Sequence, residues 1–177
     1  MAPDVLPQYK FIRHYADDSI NYIAKEIIKI IFVSRYVDLK SVQDPIALKL
    51  LSKKIGIISH YLSDYVCYPH ANRWTFVGSM KKHIKYESEL NDFARIHDFK
   101  KNVIQLDDMD IYDDRLISLK SRIKDYIYDV LEEYNQKSCF SNDLNFALSF
   151  NLKITYFILD TINQYSEELY SQFAFEL

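Results

Sequence analysis

The stretch Asp44-Pro45-Ile46-Ala47-Leu48-Lys49-Leu50-Leu51-Ser52-Lys53-Lys54-Ile55-Gly56-Ile57-Ile58-Ser59-His60-Tyr61-Leu62-Ser63-Asp64-Tyr65-Val66 opens on a helix start and ends just short of Pro69. Asp44 offers a capping carboxylate, and Pro45 takes the first helical position, where its missing N–H costs nothing. These signals predict a helix from Pro45 to about Val66. Pro69 stops it, because the ring clashes with the preceding turn and biases Tyr68 away from helical angles. Pro69-His70 is therefore expected in a tight loop.

Outward from this stretch the chain keeps the same character. Of 177 residues only 2 are Gly and 4 are Pro, whereas average proteins hold roughly 7% and 5%. Hairpin-rich folds need those residues for positive φ and fixed turns, so the shortage points to long helices. Upstream, Asp17-Asp18-Ser19 offers N-cap oxygens before Ile20, Ile23, Ile27, Ile28 and Ile31, which keep one helix face apolar. Downstream, Gly78-Ser79 introduces a helix fading near His97, with Met80, Ile84, Leu90 and Phe93 inward and Lys81, Lys82 and Lys85 solvated.

The acidic run from Asp107 to Asp114 repels itself in a helix interior and suits a connection leading to a helix over about 114–136. Ser141 with Asp143 then caps a last helix from Leu144 through Leu169, patterned on Leu148, Leu152, Thr155, Leu159 and Ile162. The expected fold class is all-α: a compact multi-helix domain over 1–177 with no sheet, since about 100–200 residues commonly form one domain.

Composition excludes several function classes. A net charge of −3 supplies no chain-wide field to hold a polyanion, so duplex nucleic acid is disfavoured as a partner. The apolar run Ile27-Ile28-Lys29-Ile30-Ile31-Phe32-Val33 is short of the ~20 apolar residues that cross a bilayer. Met1-Ala2-Pro3-Asp4 does not begin a secretory signal, which makes the expected compartment, for the sequence as given, the cytoplasm. Cys67 and Cys139 lack metal-ribbon spacing and are expected to be reduced core residues. The 15 tyrosines carry no functional weight.

Chemistry concentrates in one segment. His60-Tyr61-Leu62-Ser63-Asp64, Pro69-His70 and His83-Ile84-Lys85-Tyr86-Glu87 bring three histidines and two carboxylates, Asp64 and Glu87, into residues 60–87. Residues four apart stack on one helix face, so His60 with Asp64 and His83 with Glu87 each form a two-pronged claw. Imidazole nitrogen and carboxylate oxygen together suit zinc. Any one of these residues alone reads as a core or surface group. Jointly buried without a shared cation, they would leave charges and donors unpaired at several kcal/mol each.

The run H-x3-D-x5-H-x12-H-x3-E, with Gly56-Ile57-Ile58-Ser59 before it, resembles the zinc-dependent phospholipase C family, whose fold is shared more distantly by single-strand nucleases. Ala2-Pro3-Asp4-Val5-Leu6 followed by Arg13-His14 is similar to that family's upstream element. The resemblance implies one zinc held by Asp4, His14, His60 and Asp64, and a second held by His70, His83 and Glu87. It further implies a third zinc, to which Asp64 would bridge and which residues ahead of Asp4 would complete. With nothing there in this sequence, a missing front segment is expected, the alternative being a two-metal protein.

The implied activity is phosphodiester hydrolysis by a metal-bound water attacking the phosphorus, with Asp4 the candidate general base and a phospholipid at a membrane surface the candidate substrate. Cleavage of nucleic acid or another small phosphodiester, or a non-catalytic helical domain with structural zinc, are the alternatives. Val5, where choline-specific relatives place an aromatic side chain, puts phosphatidylcholine in question. Tyr61, Tyr65, Asn72 and Arg73 are candidate partners of the ligands, and Arg13 a candidate phosphate contact. Trp74 reads as a packing anchor, and His97 lies outside the site.

Overall fold

The computed structural model describes residues 12–34, 45–74, 78–109, 116–134 and 139–173, with the backbone alone for 116–118 and 165–173. Six helices and no strand are found among them: α1 (Ala16–Val33), α2 (Pro45–Tyr65), α3 (Tyr68–Ala71), α4 (Met80–Ala94), α5 (Leu116–Tyr134) and α6 (Phe140–Phe173). The all-α expectation therefore stands. No helix among the described residues is long and apolar enough to cross a membrane.

In α1 the apolar spacing works as anticipated: Ile20, Ile23, Ile27, Ile30 and Ile31 are buried, and Ile28 is half-buried. Its start differs. The helix begins at Ala16 with extended Tyr15 at the N-cap and no side-chain cap, so Asp17 and Asp18 lie inside the first turn, against the positive end of the helix dipole. Ser19 turns inward: its hydroxyl donates to the Tyr15 carbonyl at 2.8 Å and pairs with the Tyr65 hydroxyl at 2.7 Å.

α2 begins at Pro45 and ends at Tyr65, close to the limits read from its proline and its exit. Pro69, expected in a loop, instead occupies the first turn of α3, where no backbone N–H is required. α3 closes with a Schellman-type pair of bonds, Arg73 N–H to the His70 carbonyl at 3.0 Å and Trp74 N–H to the Pro69 carbonyl at 2.9 Å. That closure puts Arg73 at φ 50, a left-handed conformation costing a non-glycine residue about 1–2 kcal/mol.

α4 stops at Ala94, three residues before His97, and its inward face is Tyr86 rather than Ile84, which is 59% exposed. In α6 the buried stripe runs Phe146, Phe150, Ile154, Phe157, Ile158 and Ile162, while Leu159 faces out. Of the expected pattern Ile162 is buried, whereas Leu144, Leu148, Leu152 and Thr155 are half-buried, because the phenylalanines and isoleucines take the inward positions. Asp107 to Met109 are non-helical as expected, and Lys153 holds this connection through the Leu106 carbonyl and Asp108. Cys67 is buried and free, but Cys139 is exposed, against its expected place in the core.

The core joins the inward faces of α1, α2, α5 and α6. Among the described residues two carboxyl groups are buried, Glu26 and Asp143; Glu26, 3% exposed, is held by Lys29 at 2.7 Å and by Lys54. Burial pushes its carboxyl up, and the two ammonium groups more than reverse that, holding it below the ordinary range. The exposed Gly56 sits inside α2, and a Cβ there meets nothing within 4 Å. Gly56→Ala is thus expected to raise the unfolding free energy by about 0.5–1 kcal/mol. Urea denaturation measures this, and a destabilised variant would contradict the open placement of that face.

Candidate metal centre

The centre is assembled where α2 ends. The i, i+4 spacing turns His60 and Asp64 to one side of its last turns, toward the approach to α1. There His14 Nδ1 lies 2.6 Å from Asp64 Oδ2, and His60 Nε2 lies 3.4 Å from the same oxygen and 3.3 Å from His14 Nδ1. His14 is held from the α2 side by Tyr61, whose ring centroid is 4.8 Å away and whose hydroxyl donates to the Ile12 carbonyl at 3.2 Å.

A second group forms from α3 and α4. Glu87 Oε1 lies 3.1 Å from His70 Nε2 and 2.9 Å from His83 Nε2. The two groups adjoin, with Asp64 Oδ1 3.8 Å from His70 Nε2. Asp64 thus points one oxygen at each group. The Schellman closure of α3 also delivers the Trp74 carbonyl to His83 Nδ1 at 3.1 Å. A carbonyl can only accept, so Nδ1 donates to it, and Nε2, which faces the Glu87 carboxylate, is the nitrogen that a metal would take.

Exposure shows where the centre opens: the His70 and His83 side chains are 12% exposed, and Glu87 is 47% exposed. Hydrogen bonding to His70 is the main cause that holds the Glu87 carboxyl below the ordinary range; burial works against it, and His83 adds to the lowering. A cavity of about 290 Å³ adjoins both groups, lined by His14 and His70 together with Tyr15, Tyr65, Leu131 and Arg73, among others.

The residues fit zinc by the chemistry of their donors. His14, His60 and Asp64 place their donor atoms within 4.8 Å of one another, as do His70, His83 and Glu87. Nitrogen and oxygen at 2.0–2.2 Å around a tetrahedral ion lie about 3.3 Å apart, close to the 3.4 Å and 3.1 Å seen here. Asp4 and Val5 lie outside the described residues.

The other sequence candidates take supporting or separate places. Tyr65 bonds Ser19, and burial pushes its hydroxyl far up. Asn72 donates to the Tyr68 carbonyl at 2.9 Å. Arg73 pairs with Asp17 at 2.6 Å and lies over the Tyr15 ring at 5.2 Å. Arg13 is 74% exposed and 3.9 Å from Asp18. Trp74 packs edge-on against Tyr68 and Tyr86, and His97 binds Asn145 at 2.8 Å, away from the centre.

Sequence reasoning missed the carboxylate of Asp143. Expected as a cap on its own helix, it is buried and accepts hydrogen bonds from Tyr68 N–H, Tyr86 and Tyr134. The available signal was its register: an acid one helical turn ahead of Phe146 and two ahead of Phe150 continues the apolar stripe inward.

Among the comparisons with known proteins, the family model described as zinc dependent phospholipase C matches residues 1–171. No curated protein and no solved structure matches the chain.

Zinc that binds only the folded chain raises its stability by about 2.7 kcal/mol at a hundredfold excess over Kd, or about 5–10 °C in Tm for a chain of this size. Because imidazole ligands bind a metal only when deprotonated, that rise should shrink as the solution is acidified. Calorimetry with zinc or with chelator measures it. A Tm insensitive to zinc at pH 7.5 would contradict the fit.

Proposed function

We propose that this chain, which belongs to the zinc-dependent phospholipase C family, hydrolyses the phosphodiester of a phospholipid at a centre held by His14, His60 and Asp64 and by His70, His83 and Glu87. The observation that carries the proposal is the convergence of six donor side chains from the approach to α1 and from α2, α3 and α4 onto two adjoining groups. Zinc, when bound, would supply Lewis acidity toward a phosphoryl oxygen and would lower the pKa of a water toward about 7.

The chain's own residues do the placing. Asp64 reaches both groups, so the two halves of the centre share one rigid support at the end of α2. Tyr61 fixes the approach that carries His14, and the Trp74 carbonyl fixes the tautomer of His83. Four imidazoles bring no charge as ligands. Asp64 and Glu87, with Asp4 as a third carboxylate, therefore leave two divalent ions incompletely neutralised, and the centre attracts a phosphate.

Substrate can approach from the open side at Glu87 or from the cavity beside His14 and His70. The tyrosines and Leu131 of that cavity suit a partly apolar substrate. A net charge of −3 favours a single phosphodiester over a nucleic-acid polyanion.

Zinc-replete protein should release the phosphorylated headgroup from phospholipid vesicles, and chelator should abolish this. His60→Ala and His83→Ala should each lower kcat/KM by at least about 10²-fold, the scale for removing one electrostatic contributor to a transition state. Turnover that survives chelation, or that His60→Ala leaves intact, would overturn the proposal. Activity on single-stranded nucleic acid but not on vesicles would replace the lipid substrate with the nuclease alternative.

A further inference from the structure

Asp143 is 2% exposed. Its Oδ2 accepts from Tyr68 N–H at 3.0 Å and from the Tyr86 hydroxyl at 2.8 Å, and its Oδ1 accepts from the Tyr134 hydroxyl at 2.5 Å. A carboxylate taken out of water is tolerated only when it is hydrogen-bonded in this way. Two of its three partners flank the second donor group. Tyr68 lies two residues before His70, and Tyr86 lies between His83 and Glu87 on α4.

Apart from Phe93, whose ring lies 5.8 Å from Phe140, α4 packs inward through one buried side chain. Tyr86 is its buried residue, packing against Tyr68, Trp74 and Phe140, with ring centroids 5.9, 6.1 and 4.8 Å away. Two of the three donors of the second group therefore ride on a helix whose inward anchor ends at the Asp143 carboxylate.

We infer that Asp143 is a positioning residue for the second metal group. By gripping the start of α3 and the middle of α4 from α6, it fixes His70 relative to His83 and Glu87. The inference rests on the reading of that group as a zinc site. It goes beyond that reading by assigning the geometry of one zinc, and not the other, to a buried carboxylate that touches neither.

Tyr86→Phe and Tyr134→Phe each delete one hydroxyl that donates to this carboxylate, but Tyr134 lies on α5, which carries no donor. Each is made in a His60→Ala background, where the second group alone holds zinc, and in a His83→Ala background, which reports the first. Zinc-loaded protein is dialysed against chelator buffers of graded free zinc, and zinc per chain is counted.

In the His60→Ala background, Tyr86→Phe should raise the free zinc needed for half-occupancy by about tenfold, the low end for a partner behind a metal ligand. Tyr134→Phe should leave it unmoved, even where both variants melt earlier. In the His83→Ala background neither should matter. Asp143→Asn, which keeps one acceptor oxygen, should retain the second zinc better than Asp143→Ala.

Equal shifts for Tyr86→Phe and Tyr134→Phe, or equal weakening of both groups, would reduce Asp143 to a support of the fold and overturn this inference alone. Parent chains that hold no zinc in either background would overturn it together with the proposed function.

Discussion

The placement of Asp64 constrains everything else in the centre. Its carboxylate lies one turn beyond His60, so a single helix presents a nitrogen and an oxygen to the same point, while its second oxygen faces His70. A carboxylate among three imidazoles, partly withdrawn from water, needs a fixed position to be useful and a cation to be comfortable. The fold supplies the first. Ile57, Ile58, Tyr61, Leu62 and Tyr65 bury the other face of the same turns. The end of α2 is therefore among the most firmly packed parts of the molecule, and His60 and Asp64 inherit that rigidity.

Support of a different kind holds the second group. α3 is one turn long and α4 is mostly solvated, so apolar burial contributes little to their position. Polar bonds take over: a Schellman closure with Arg73 in a left-handed conformation, the Trp74 carbonyl on His83, and the buried Asp143 carboxylate behind Tyr68 and Tyr86. Such bonds are directional, and they set angles more sharply than hydrophobic contact does. A group resting on packing beside a group resting on hydrogen bonds gives the two halves of the centre different sensitivities to mutation.

The helices and the donor groups were legible in the sequence for separate reasons. Scarce glycine and proline, the start at Pro45 and the isoleucine spacing of α1 report local physics, and local physics decides helices of this length. His60 with Asp64 and His83 with Glu87 were legible because i, i+4 spacing is fixed by the helix itself. His14 was reached only through resemblance, since nothing local ties it to a residue 50 positions away. Tertiary effects stayed hidden. Pro69 sits in a helical turn because the first turn tolerates it, and α6 turns its phenylalanines inward where the leucines were expected. Asp143 looked like a cap because an acid near a helix start usually is one; only the assembled core shows hydroxyls from two other helices converging on it.

The most direct test of the central claim is anomalous diffraction at the zinc edge from crystals of protein prepared with zinc. The account predicts two strong peaks, one within bonding distance, about 2.0–2.2 Å, of donors from His14, His60 and Asp64, and the other equally close to donors from His70, His83 and Glu87. Zinc bound elsewhere, with those six side chains still paired to one another, would contradict it.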